Sequence, residues 1–220
     1  MTSYDRNAIA LAVGLSCLAG YVDASGFLAT GGVFVSFMSG NSTRLSVALV
    51  NNRYQYAYLV FGVIFLFVVG VIVGTVVSRQ AGDRRKTWVL MIVTILLFIA
   101  AICHTIGQTY ASTAFMVLAM GAENAVFQRD GEVSIGLTYM TGTLVKLGQQ
   151  IAAIMFGGSK DTWWPYALHW LGLVSGAILG AWAHGALLAL TLWPAVLAAL
   201  FFCACSAKLN IATSQRTGQN

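Results

Sequence analysis

The chain has 220 residues, of which 58% are hydrophobic and 9% charged, and its mean hydropathy is +0.78. A soluble domain carries about 25% charged residues to keep its surface wet, so a water-soluble globule is excluded and lipid must cover much of this surface. The formal net charge of +5 does not mark a nucleic-acid binder, because the basic residues sit at predicted helix ends, where membrane topology places them.

Asn7 to Phe27 is long and apolar and lacks a small-x-small cleavage site followed by a soluble domain, so it reads as a first span over roughly 8–28 rather than a cleaved leader. Tyr54 to Ser78 is free of charge and holds a second span, 57–78. A crossing takes about 20 apolar residues, so the charge-free stretch Thr87 to Ala122 holds two, 88–106 and 110–128. Thr162 to Ala207 holds two more, 164–184 and 187–205. Pro165, just after Trp163 and Trp164, suits a helix start at the headgroup level. Pro194 falls inside the sixth span and predicts a kink. Gly107-Gln108-Thr109 and His184-Gly185-Ala186 read as tight hairpin connectors.

Two segments, 31–50 and 136–156, are apolar enough to enter the membrane but carry a basic residue in the middle. If both crossed, Arg84-Arg85-Lys86 would face outward. The charge distribution opposes that. With six spans and a cytoplasmic N-terminus, the inner side receives Arg6, Arg79, Arg84, Arg85, Lys86, Arg129, Lys146, Lys160, Lys208 and Arg216. The outer side receives Arg44 and Arg53. This bias predicts an inner (plasma) membrane protein with both termini cytoplasmic. The two extra segments are then expected to be re-entrant, each broken at Gly40 or Gly142, with Ser39 and Thr141 capping the returning helices.

The second half repeats the first. Gly20-Tyr-Val-Asp23-Ala24 is matched by Gly121-Ala-Glu-Asn124-Ala125, and Met38-Ser-Gly40-Asn-Ser-Thr-Arg44-Leu45 by Met140-Thr-Gly142-Thr-Leu-Val-Lys146-Leu147. Gly70-x-x-x-Gly74 is matched by Gly176-x-x-x-Gly180. Three spans per half is an odd number, so the halves enter the membrane in opposite senses, as in many secondary transporters. The expected fold is an all-α integral membrane protein of six transmembrane helices, forming one membrane domain. It has two inverted three-helix repeats, 1–106 and 107–220, each with a re-entrant Met-(Ser/Thr)-Gly element.

These paired motifs resemble the YoaK-like bacterial membrane proteins, a family of unknown function, from about Gly14 to about Cys205. The family's first motif typically reads Met-Thr-Gly-Asn. Ser39 stands in the threonine's place and keeps the hydroxyl. The resemblance implies a multi-pass bacterial membrane protein and no particular activity.

If the two returning helices meet near the midplane, their N-termini each carry about half a positive charge. Ser39, Gly40, Asn41, Arg44, Thr141, Gly142 and Lys146 would then line an anion site. The plainer reading is that Arg44 and Lys146 neutralise Asp23 and Glu123, or snorkel to an interface. Asp23 and Glu123 are candidates for proton coupling, since acids in a span usually face a cavity or partner. A structural ion pair or an interfacial position is the alternative for Asp23. The glycine pairs are expected to pack helices, and a homo-oligomer through the same faces is a further expectation.

His104, His169 and His184 read as interfacial or core residues ahead of proton relays or haem ligands. Cys17, Cys103, Cys203 and Cys205 read as small core residues, since Cys203 and Cys205 do not share a helix face. No catalytic motif and no metal or cofactor signature is present. The expected function is a secondary transporter (permease) for a small polar solute, an anion if the two helix N-termini form its site, its partners being that solute and the lipid bilayer. A membrane scaffold whose polar motifs are structural is the alternative, ahead of an intramembrane enzyme.

Overall fold

The computed structural model describes residues 6–129, 132–133, 137–157 and 163–217. Position 136, where the second re-entrant segment was expected to start, and Lys160 lie outside them. The described elements are α1 (Arg6–Ala29), α2 (Met38–Val50), α3 (Tyr54–Gln80), α4 (Arg85–Thr105), α5 (Thr109–Glu123), α6 (Met140–Met155), α7 (Trp164–Leu187) and α8 (Trp193–Thr217). One antiparallel pair of two-residue strands, β1 (Gln128–Arg129) and β2 (Glu132–Val133), interrupts the otherwise helical chain.

Among the described residues, four helices are long and apolar enough to cross a membrane: Asn7–Ala29, Tyr54–Gln80, Gly82–Thr105 and Trp164–Leu190. One of the six expected spans falls short of that length. α5 stops at Glu123 and gives way to a 3₁₀ turn over Asn124–Phe127. α8 extends over Trp193–Thr217, and within the residues described in full its apolar part covers Trp193–Lys208. The second hairpin also differs from expectation. α7 continues through His184 and Gly185 to Leu187, and the chain turns over Leu188–Leu190. Pro194 consequently sits in the first turn of α8, where its missing N–H costs nothing, and it makes no kink.

α2 has 13 residues, about 20 Å of helix, which is too short to cross a hydrocarbon core of about 30 Å. α6, with 16 residues, is similarly short. The break before α2 lies at Gly31 and Gly32, whose φ values of +68° and +120° only glycine adopts without strain. Gly40 is inside α2. Its absent side chain leaves room for the rings of Phe37 and Phe34, which a Cβ would overlap.

Two glycine seams hold the bundle. On α7, Gly172, Gly176 and Gly180 lie against the backbone carbonyls of Val13, Cys17 and Tyr21 on α1, while Gly20 of α1 lies against Leu173 and Ala177. On α3, Gly70 and Gly74 lie against the carbonyls of Leu118 and Ala122 on α5, while Gly121 of α5 lies against Phe67 and Val71. Small residues at these points let the backbones touch, which is how helices gain dispersion energy where lipid offers no hydrophobic drive. Both seams run in register with ascending numbers, so α1 is parallel to α7 and α3 to α5. These glycines are thus buried within the chain, not arrayed on a free face.

α4 closes the bundle against α5 and α8. The Ser112 hydroxyl donates to the Ala100 carbonyl at 2.9 Å, and Trp193 Nε1 donates to Thr105 Oγ1 at 3.2 Å. At the other end Thr87 and Ser206 share a hydrogen bond of 3.3 Å, so α4 and α8 are antiparallel. Leu15, Leu90, Leu97, Met116 and Met120 are fully buried at the centre. Outside, Tyr58, Phe61, Phe65, Val68, Ile72 and Val76 form an exposed apolar stripe along α3 at three- and four-residue spacing. A surface of this kind belongs in lipid.

Candidate functional site

Between α1 and α2 the backbone passes through turns and bends, and its N–H groups need partners because neither helix nor sheet supplies them. Polar side chains do so. Thr30 Oγ1 accepts from Val33 N–H at 3.0 Å. Asn41 brackets Phe34, with Oδ1 accepting from its N–H at 3.1 Å and Nδ2 donating to its carbonyl at 2.7 Å. Asp23 Oδ1 accepts from both Val35 N–H and Ser36 N–H at 2.8 Å. Asp23 and Asn41, the polar centres of the two first-half motifs, therefore converge on one eight-residue loop, 30–37, and fix its path.

The second half has a related lock. Asn124, which matches Asp23, accepts from the Thr138 hydroxyl at 3.2 Å and donates to the Met120 carbonyl at 2.9 Å. Thr143, which matches Asn41, is likewise buried and donates to the Tyr139 carbonyl at 3.2 Å. Ser16 of α1 reaches into this loop, donating to the Leu137 carbonyl at 3.2 Å and lying 3.1 Å from the ring nitrogens of the fully buried His169.

Several site expectations need correction. Ser39 and Thr141 do not cap α2 and α6. Both lie inside their helices, whose N-caps are Phe37 and Tyr139 without a side-chain bond. The expected ion pairs do not form either. Asp23 is occupied by backbone amides, while the Arg44 guanidinium lies over the rings of Phe27 and Phe34, 5.3 and 5.1 Å from their centroids. Glu123 is fully buried, and neither carboxyl oxygen has a hydrogen-bond partner among the described residues. Lys146 is exposed on α6, beside the exposed Thr141 and Gly142, and so does not neutralise it.

Arg44 instead lines an open cleft of about 300 Å³ with Gly31, Thr43, Val47, Ala48, Arg53 and Tyr56. Thr141, Gly142 and Lys146 take no part in it, so Arg44 and Lys146 do not converge there. Arg53 and Tyr56 were missed as site residues. A signal for Arg53 existed, because the expected topology puts it with Arg44 on the side that otherwise lacks basic residues. Its pairing with Arg44 depends on the tight α2–α3 turn, where Asn52 adopts φ of +57°. Among the described residues, no cluster of His, Cys, Asp and Glu could hold a metal ion.

Known proteins give this architecture a context. Residues 11–205 match the family model described as "Protein of unknown function (DUF1275)". The chain is 36% identical over 196 residues to the UPF0700 transmembrane protein RA0705 of Rhizobium meliloti (strain 1021), covering 89% of this chain and 84% of that one. It is 27% identical over 151 residues to the UPF0700 transmembrane protein YoaK of Bacillus subtilis (strain 168), covering 64% and 67%. No solved structure matches. With the family model spanning nearly the whole membrane bundle, the chain belongs to the DUF1275 family of YoaK-like transmembrane proteins.

Proposed function

We propose that this protein is a secondary transporter for a small polar solute, built as two inverted three-span halves, 1–106 and 107–220, in the inner membrane with both termini cytoplasmic. The carrying observation is the exchange of first helices. α1 sits on α7 through the same glycine register with which α5 sits on α3. Equivalent residues thus make equivalent contacts across the halves, which favours duplication with α1 and α5 swapped. The parallel pairs α1–α7 and α3–α5, and the antiparallel pair α4–α8, fit six crossings if α5 and α8 also span. Two short helices, each preceded by a polar-locked turn, resemble the discontinuous elements around which transporters place their sites.

Glu123 is the favoured coupling residue. A bare carboxylate buried without a partner costs several kcal/mol, so a proton or small cation is its natural companion. Asp23, already bound to two amides, is assigned the structural role. A membrane scaffold is the second reading, favoured by Asp23 and Asn41 both being engaged in holding their own loop. Neither reading gives the chain a catalytic step.

Liposomes containing the protein, mounted on a solid-supported membrane and challenged with phosphate, sulfate, short carboxylates and amino acids, separate these readings. Transport predicts a transient current with at least one solute that Glu123→Gln abolishes while the protein remains folded. Silence across the panel, or currents unchanged in that variant, would move the scaffold reading ahead.

A further inference from the structure

The cleft between the Gly31–Gly32 turn, α2 and the start of α3 contains a pair of arginines that the transport reading does not need. Arg44 is half-buried and clamped over two rings, Phe27 at 5.3 Å and Phe34 at 5.1 Å. Those rings also pack on one another at 4.7 Å between centroids. Arg53 lies over the ring of Tyr56 at 5.2 Å and faces the same space. Cation–π contact fixes a guanidinium without using its N–H donors, because the ring meets the flat face and leaves the edge free. Among the described residues no acidic side chain lines the cleft, and the nearest acid in sequence, Asp23, is committed to Val35 and Ser36. Two cations held with their forks available and without a counter-charge form a receptor for an oxyanion.

We infer that Arg44 and Arg53 bind a phosphate-type oxyanion in this cleft, on the face opposite the Arg84-Arg85-Lys86 turn. A volume of about 300 Å³ admits an inorganic phosphate or the phosphate of a lipid headgroup, and the recognising chemistry is the same for both. The inference rests on the cleft alone, and binding would persist if no solute were ever transported.

The test uses the full chain in nanodiscs, with thermal unfolding followed as sodium phosphate replaces sodium chloride at matched ionic strength. In phosphatidylcholine discs, a phosphate-dependent rise in Tm would identify a free anion as the ligand. Arg44→Gln and Arg53→Gln should each weaken its apparent affinity roughly tenfold or more, the usual loss for a charge-assisted bond. If phosphate has no effect but phosphatidylglycerol discs raise Tm, and the rise disappears in the same variants, the ligand is a lipid phosphate. Arg53→Lys should retain part of either response, since an ammonium keeps the charge but not the fork. Lys208→Gln, an equal charge change on α8, should leave both responses intact. Arg53 is exposed in a turn, so Arg53→Gln carries the test even if Arg44→Gln fails to fold. No response in the wild type, or a response unchanged in Arg53→Gln, would overturn the inference.

Discussion

Asp23 occupies a position that a sequence reader assigns to ion chemistry, but the structure gives its charge a different task. One carboxylate oxygen receives two N–H groups from a loop with no secondary structure to satisfy them. Asp23→Ala should leave both donors stranded, at about 1–3 kcal/mol each, and lower Tm or recovery of folded protein sharply. Asp23→Asn keeps an acceptor oxygen and should cost much less, consistent with the asparagine found at the matching position 124. Equal stability of wild type and Asp23→Ala in detergent would end this account. The residue type and its depth were legible in the sequence. Its partners were not, because they are backbone atoms a dozen residues away whose position depends on where the glycine turn falls.

At the level of elements, the glycine spacings were readable as packing motifs, but which helix each would meet was not. The four-residue period puts Gly70 and Gly74 on one face, as it does Gly176 and Gly180, and any small-residue partner would satisfy that pattern. The fold chose partners from the opposite half. A Cβ at Gly176 would overlap the Cys17 carbonyl, and backbone cannot step aside as a side chain can. Gly176→Ala should therefore destabilise the α1–α7 seam by about 1–3 kcal/mol. Gly185→Ala and Gly142→Ala, which meet nothing within 4 Å, should be neutral or slightly stabilising through helix propensity. Matching Tm losses for all three would show that the seam is not under close contact. The helix breaks tell a related story. Gly40 carries the more noticeable motif, yet the chain turns at Gly31 and Gly32, because positive φ is required there and close aromatic packing at Gly40.

For the whole molecule, the proposed six-crossing arrangement makes a prediction independent of function. After removal of the four native cysteines, single cysteines at Gly107 and Leu190 should react with an impermeant maleimide added outside intact cells. A cysteine at Arg84 should react only after permeabilisation. Outside labelling at position 84 would invert the orientation and move Arg44 and Arg53 to the inner face. By itself the sequence determined that the chain lives in lipid, where most helices lie, and that its halves carry the same motifs. These follow from composition and from periods short enough to be local. Only the tertiary structure decided that α1 and α5 are seated on the opposite halves and that Asp23 serves a loop. It alone paired Arg44 with Arg53 instead of Lys146, and it left Glu123 buried without a hydrogen-bond partner among the described residues. Each of these depends on distances between residues far apart in the chain, set by packing the whole bundle, and no local pattern of residues encodes them.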